Sequence, residues 1–269
     1  MPEASVAEIV GGLRDSRKYG QLSLPTLVRV ARWALRRYRD PQKALKAAKR
    51  KLHQVYGAFL QPGAIAAAQR AARLLAADSL PPEAERALCV EVLRQHASTA
   101  ERLPFLERFY AEILADISPV RSVQDLACGL NPFGIPWMPL EPGGEYLAVD
   151  IDERLAAVFE RLSDLWPVWL RGHSHDLLSG PLNDPGGPPD VVLLLKAIPC
   201  LEQQEAGAGW RLLESLDAPC VVVSFPSRSL GGREKGMRQS YDRLLRDRMP
   251  AGRSLETRTF PTEVVYRLR

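Results

Sequence analysis

An α/β fold is predicted, in which a mostly parallel sheet closed by an antiparallel hairpin follows an all-helical N-terminal module. Three features predict it. Apolar residues recur every three or four positions up to about residue 115, then gather in short runs after Pro119. Strand-like and helix-like segments alternate in that second part, which is the pattern of a parallel sheet. Two of the runs, 191–196 and 220–225, are nearly continuous in apolar residues, as strands covered on both faces are. The 269 residues are 46% hydrophobic and 25% charged, which allows a sizeable core and excludes disorder as the main state.

The helical module is read first. In 27–38, Leu27, Val30, Ala31, Ala34, Leu35 and Tyr38 share one side, while Arg29, Arg32, Arg36 and Arg39 fall mostly on the other. Asp40 is placed to cap a second helix over 41–59, with Pro41 at its first position. Lys43, Lys46, Lys49 and Arg50 recur there as a basic stripe. The Ala-rich run 64–77 continues as helix, Leu80-Pro81-Pro82 is a hinge, and 83–95 and 99–115 are two further helices. The predicted strands are 122–129, 145–152, 168–173, 189–198, 218–226, 254–260 and 262–269, with helices over 153–165, 201–216 and 235–248. The last two strands, joined at Pro261, form the closing hairpin; 184–189 is a loop. The division this implies is 1–80 and 81–269.

Charge separates the same two parts. Residues 1–77 hold 15 Lys/Arg against four Asp/Glu, a net +11, and the rest of the chain carries −7. Thirteen of those fifteen cations lie between 14 and 51, so a polyanion such as nucleic acid is the expected partner of the first part; a solvated helix face is the bland alternative. No run is long and apolar enough for a membrane span, and no signal layout opens the chain. Cys89, Cys128, Cys200 and Cys220 are widely spaced, which predicts reduced thiols, a cytoplasmic location and no metal site.

Candidate chemistry falls at strand ends. Asp125-Leu126-Ala127-Cys128-Gly129 closes the first strand with small residues that let a ligand approach the backbone. Asp150 ends the second strand, where a carboxylate accepts hydrogen bonds from two ribose hydroxyls. Either Asp150 or Asp152 can instead cap the next helix, so one caps and one binds. His175-Asp176-Leu177 follows the third strand, with Asp176 suited to an adenine amino group and Leu177 to the ring face. The pyrophosphate glycines of a dinucleotide site are missing, so S-adenosylmethionine (SAM) fits better than NAD. Ser98 and Glu101 have capping-box spacing, and Arg102 is placed to bind the methionine carboxylate. The segment 224–237, with Arg228, Arg233, Lys235 and two adjacent glycines, reads as a loop over RNA or as a plain loop.

YGAFL (56–60), HASTAERL (96–103), DLACGLNP (125–132), LLLKAIPCLEQQ (193–204) and SFPSRSLGGREKGM (224–237) together resemble the aminoglycoside-resistance 16S rRNA (guanine(1405)-N(7))-methyltransferases, from about Ser16 to the C-terminus. The resemblance implies a Rossmann-like SAM-dependent methyltransferase domain behind a basic domain that docks on the 30S subunit. It implies that Phe59, His96, Ser98, Arg102, Ala127, Gly129, Asp150, Asp176, Leu177, Leu195 and Gln204 surround SAM. Arg36, Arg37, Lys43, Lys46, Lys49 and Arg50, with the loop cations Arg228, Arg233 and Lys235, are expected to face 16S rRNA. The chain is expected to act as a monomer, without a metal and with no side chain as acid or base, because guanine N7 carries no proton. The rival readings are an rRNA methyltransferase acting on adenine N1 and a noncatalytic RNA-binding protein with a Rossmann-like shell.

Overall fold

The computed structural model describes residues 3–77, 80–117, 119–182, 184, 186–227, 237–249 and 252–269. Three helices open it: α1 (Glu3–Arg14), α2 (Leu24–Leu35) and α3 (Pro41–Leu52). Their apolar stripes meet in a small core that includes Leu13, Leu27, Val30, Ala31, Ala48 and Leu52. The alanines let the three axes pack closely, and the cations are left on the outside. Asp40 caps α3, its carboxylate accepting from Lys43 N at 2.9 Å. The helix expected over 41–59 stops at Leu52 and widens into a π-helical turn, His53–Gly57.

The next helices, α4 (Ala64–Ala77) and α5 (Pro82–Leu93), belong to the sheet rather than to the basic module. Ala68, Ala72 and Leu75 of α4 share a core with Val92, Phe109 and the sheet residues Val123 and Tyr146. The buried residues of the small core end at Tyr56, those of the core shared with the sheet begin at Ala68, and Leu60 packs against both. The single helix expected over 99–115 is three pieces: α6 (Ala97–Ala100), a 3₁₀ turn Leu103–Phe105 and α7 (Leu106–Ile113). Pro104 supplies no N–H to a continuous helix, which accounts for the interruption.

The strands are β1 (Ser122–Leu126), β2 (Glu145–Asp150), β3 (Trp169–Ser174), β4 (Val191–Leu195), β5 (Cys220–Pro226), β6 (Leu255–Thr259) and β7 (Glu263–Leu268). They form one sheet in the order β3-β2-β1-β4-β5-β7-β6, parallel through β5, with β7 antiparallel to β5 and to β6. The closing hairpin is as expected. Side chains alternate faces along each strand. Val191, Leu193 and Leu195 enter the core shared with α4, α5, α7 and α8 (Glu153–Arg161). Val192 and Leu194 enter the opposite core.

That second core is covered by α9 (Ile198–Gln204), α10 (Ala208–Ser215) and α11 (Met237–Arg248), contributing Ile198, Leu213 and Leu245. One helix was expected over 201–216; Gly207, at φ +80°, turns the chain between α9 and α10. After β1 the crossover is a 3₁₀ segment, Asn131–Trp137, with Pro132 and Pro136 inside it, so no α-helix points its N-terminus at the first strand end. No helix among the described residues is long and apolar enough to cross a membrane.

Candidate active site

The order of the sheet reverses at β1, with β2 on one side and β4 on the other. Such a switch point opens a crevice at the carboxyl ends of the strands. Here the basic module roofs it. Ser23 N donates to Ile151 O at 2.8 Å and Glu153 N to Gln21 O at 3.0 Å, which ties the start of α2 to the end of β2. The result is a cavity of about 850 Å³. Ten of the eleven expected residues line it: Phe59, His96, Ser98, Ala127, Gly129, Asp150, Asp176, Leu177, Leu195 and Gln204.

Asp150 is fixed by backbone. Its Oδ2 accepts from Gly129 N at 2.9 Å, and its Oδ1 accepts from Asp152 N at 3.1 Å. Burial lifts its carboxyl to about 6, against the downward pull of the Gly129 N–H. Asp152 caps α8, accepting from Arg154 N at 2.9 Å, and it also takes the Tyr56 hydroxyl. Asp152 thus takes the cap, and Asp150 stands on the cavity wall. The turn between them and β1 is tight. Ala127 and Gly129 have φ of +56° and +54°, and a Cβ on Gly129 would lie 3.0 Å from His96 Nε2.

His96 stacks on Phe59 with centroids 6.1 Å apart. Burial, helped by the Arg102 and Lys196 charges, lowers its pKa to about 4, so the ring is neutral at pH 7. Its Nδ1 is buried with no hydrogen-bond partner among the described residues. A buried polar atom of this kind on a cavity wall marks a place for a ligand group. Asp176 is held from four sides. Arg29 Nε and Nη2 donate to its two oxygens at 2.7 and 3.1 Å, Leu178 N at 3.1 Å and Ser179 Oγ at 3.0 Å. Arg29 Nη2 also donates to Gln204 Oε1 at 3.0 Å.

Two expectations are corrected. Arg102 does not line the cavity; its side chain is 1% exposed and grips Glu263 of β7 at 2.6 and 3.0 Å, with Nη1 on Asn131 Oδ1 at 3.2 Å. An internal carboxylate has taken the fork that the sequence assigns to the methionine end. The capping box of Ser98 and Glu101 does not form, because α6 begins at Ala97 and places Ser98 inside the helix. Thr99 Oγ1 bonds to Leu93 O and His96 O instead, and Glu101 accepts from Lys196 Nζ at 2.6 Å. Lys196 ends β4 in the left-handed region, φ +57°, a conformation that costs a non-glycine residue on the order of 1 kcal/mol.

The sequence reading missed Arg29, Tyr56 and Lys196 on the wall. Of the expected RNA-facing cations, Arg36, Arg37, Lys43, Lys46 and Arg50 are exposed and Lys49 is half-buried. Arg228, Arg233 and Lys235 lie outside the described residues.

The profile of a family described as ribosomal RNA methyltransferase (FmrO) matches residues 15–266. The chain belongs to the FmrO ribosomal RNA methyltransferase family. Among its similar FmrO-type relatives, a 16S rRNA (guanine(1405)-N(7))-methyltransferase of Micromonospora echinospora is 41% identical over 242 residues, 89% of this chain and 87% of that one. One of the same description from Serratia marcescens is 36% identical over 98% of both chains. The crystal structure of the 16S rRNA methyltransferase RmtF in complex with S-adenosyl-L-homocysteine superposes with a TM-score of 0.81 at 33% identity, covering 100% of this chain and 99% of that one. FmrO membership and this superposition agree with the parallel α/β sheet and helical N-terminal region expected from the residues and with the Rossmann-like domain that the resemblance implies.

Proposed function

We propose that the chain transfers the methyl group of SAM to N7 of guanine 1405 in 16S rRNA within the 30S subunit, acting as a cytoplasmic monomer and conferring aminoglycoside resistance. The observation that carries this reading is Asp150, half-buried at the end of β2 and held by the Gly129 N–H on the wall of a cavity large enough for a nucleoside-sized cofactor. The relatives described as 16S rRNA (guanine(1405)-N(7))-methyltransferases supply the substrate.

The residues present fit the cofactor. Asp150 takes the ribose hydroxyls, Asp176 the adenine amino group, and Leu177 and Leu195 the adenine faces. The tight turn at Ala127 and Gly129 leaves room for a ligand against the backbone, and the free Nδ1 of His96 offers one polar contact. Arg102 works through Glu263 and Asn131 rather than by touch. When bound, SAM supplies a methyl group that is already electrophilic. The chain's own task is to hold the target base so that N7 meets that methyl in line, so positioning supplies most of the rate. The exposed cations of α2 and α3 neutralise rRNA phosphates and hold the two macromolecules in register.

Expression in an aminoglycoside-sensitive bacterium, with mapping of its 16S rRNA, tests the reading. Resistance is expected, with chain cleavage at guanine 1405 after chemistry selective for 7-methylguanine and read-through by reverse transcriptase without it. A stop at a neighbouring adenine in untreated RNA would assign adenine N1 instead. SAM binding with no new methyl on rRNA would mark a noncatalytic binder.

A further inference from the structure

Arg29 belongs to the basic face of α2 by sequence, yet its side chain is only 22% exposed and reaches into the cavity to Asp176, itself 3% exposed. A carboxylate offers about four acceptor sites. Asp176 already fills four, from Arg29 Nε, Arg29 Nη2, Leu178 N–H and the Ser179 hydroxyl. A fifth donor, such as the adenine amino group that the proposed function brings here, needs one of these to leave. Leu178 and Ser179 are held by the local turn, where Ser179 N also bonds Asp176 O at 2.8 Å. Arg29 comes from another module, 147 residues away in sequence, on a long side chain, so it is the donor that can withdraw.

The rim that would receive it is already cationic. Lys51 Nζ donates to Gln203 O at 2.5 Å beside the cavity, and Lys51 and Arg37 lie over the same Trp33 ring at 5.2 and 4.5 Å. The ammonium of Lys51 is depressed by burial and then by the charges of Arg37 and Arg29, so the three cations feel one another. The hydrogen-bond partners of Lys51 and Arg37 among the described residues are backbone oxygens, Gln203 O and Trp33 O. A phosphate of rRNA is the chemistry that relieves such a cluster.

We propose that Arg29 is an exchangeable positioning residue: it holds Asp176, yields it to the adenine amino group, and then joins Lys51 and Arg37 on an rRNA phosphate. The proposal rests on the SAM and 30S reading above. It makes cofactor and ribosome binding mutually reinforcing, since each ligand favours the withdrawn arginine.

The test uses the whole protein, S-adenosylhomocysteine and purified 30S subunits. For the wild type, the homocysteine compound should tighten 30S binding by about fivefold or more and steepen its salt dependence by about one counterion. Arg29→Ala should bind the compound about fivefold or more tighter, and its 30S affinity and salt slope should no longer respond to it. Arg29→Lys keeps the charge without the bidentate grip and should lie between; it also carries the test if the alanine variant fails to fold. Unchanged or weaker cofactor affinity in folded variants overturns the proposal, as does a wild-type 30S affinity indifferent to the compound. A wild type that does not bind the compound at all overturns the underlying SAM reading too, and that arm reports it without any variant.

Discussion

Asp150 carries a proton affinity that the role proposed for it makes measurable. Burial raises its carboxyl to about 6. Ribose hydroxyls donate to the charged form and so favour it, which means that binding releases the proton. Affinity for S-adenosylhomocysteine should therefore be level above about pH 7 and weaken as pH falls through the region near 6, as calorimetry would read. Asp150→Asn should bind more weakly, by about 1.5–3 kcal/mol for each charge-assisted bond lost, and should flatten the pH response. An unaltered affinity in the folded variant would take Asp150 out of the site. Its place on the cavity wall was legible because the second strand end faces the switch point of the sheet, and Asp152 accounts for the cap. Arg29 was not legible: it sits among basic neighbours that read as one solvated or RNA-facing surface, and only the folded chain brings Asp176 to it. Arg102 misled for a related reason, since its partner Glu263 lies 161 residues away and sequence gives no sign of the pairing.

The helix α3 presents two faces whose origins differ. Ala44, Ala48 and Leu52 are buried against α1 and α2, and Lys43 and Lys46 stand exposed on the other side with Lys49 half-buried. Replacing Lys43, Lys46 and Lys49 with Glu leaves the buried face untouched, so the fold should persist. Binding to 30S subunits should weaken and its salt dependence should flatten, because fewer counterions are released. Affinity for S-adenosylhomocysteine alone should stay close to that of the wild type, because none of the three lines the cavity. Intact 30S binding at physiological salt would reduce the stripe to a solvated face. At this scale the periodic elements were legible and their interruptions less so. The strands of the sheet and the cap at Asp40 follow from local chemistry. The breaks at Pro104 and Gly207 are local, a missing N–H and a left-handed turn inside otherwise periodic runs, whereas the allegiance of α4 to the sheet depends on packing partners distant in sequence.

Across the whole molecule, the two cores of the sheet and the small core of α1–α3 enclose one site whose groups are placed for positioning rather than for proton transfer. Guanine N7 presents an in-plane lone pair and has no proton to lose, so methyl transfer to it requires no base. Two ionisable groups of the cavity wall agree with that demand. His96 is held neutral down to about pH 4, and burial pushes the Cys200 thiol up to about 11, so neither changes charge near neutrality. Asp150, lifted by burial to about 6, has its midpoint below the neutral range, and the part proposed for it is in binding. With cofactor and 30S subunits both saturating, the single-turnover rate should change less than about twofold between about pH 7 and 8.5. Methylation of a protonated nitrogen or a hydroxyl would instead lose its proton on the way to product, and the rate would rise toward tenfold per pH unit below the pKa of the group that takes it. Binding of 30S subunits measured in the same buffers separates a change in chemistry from a change in docking. A steep rise with constant docking would show that a proton leaves in the rate-limiting step, and N7 would then no longer be the acceptor.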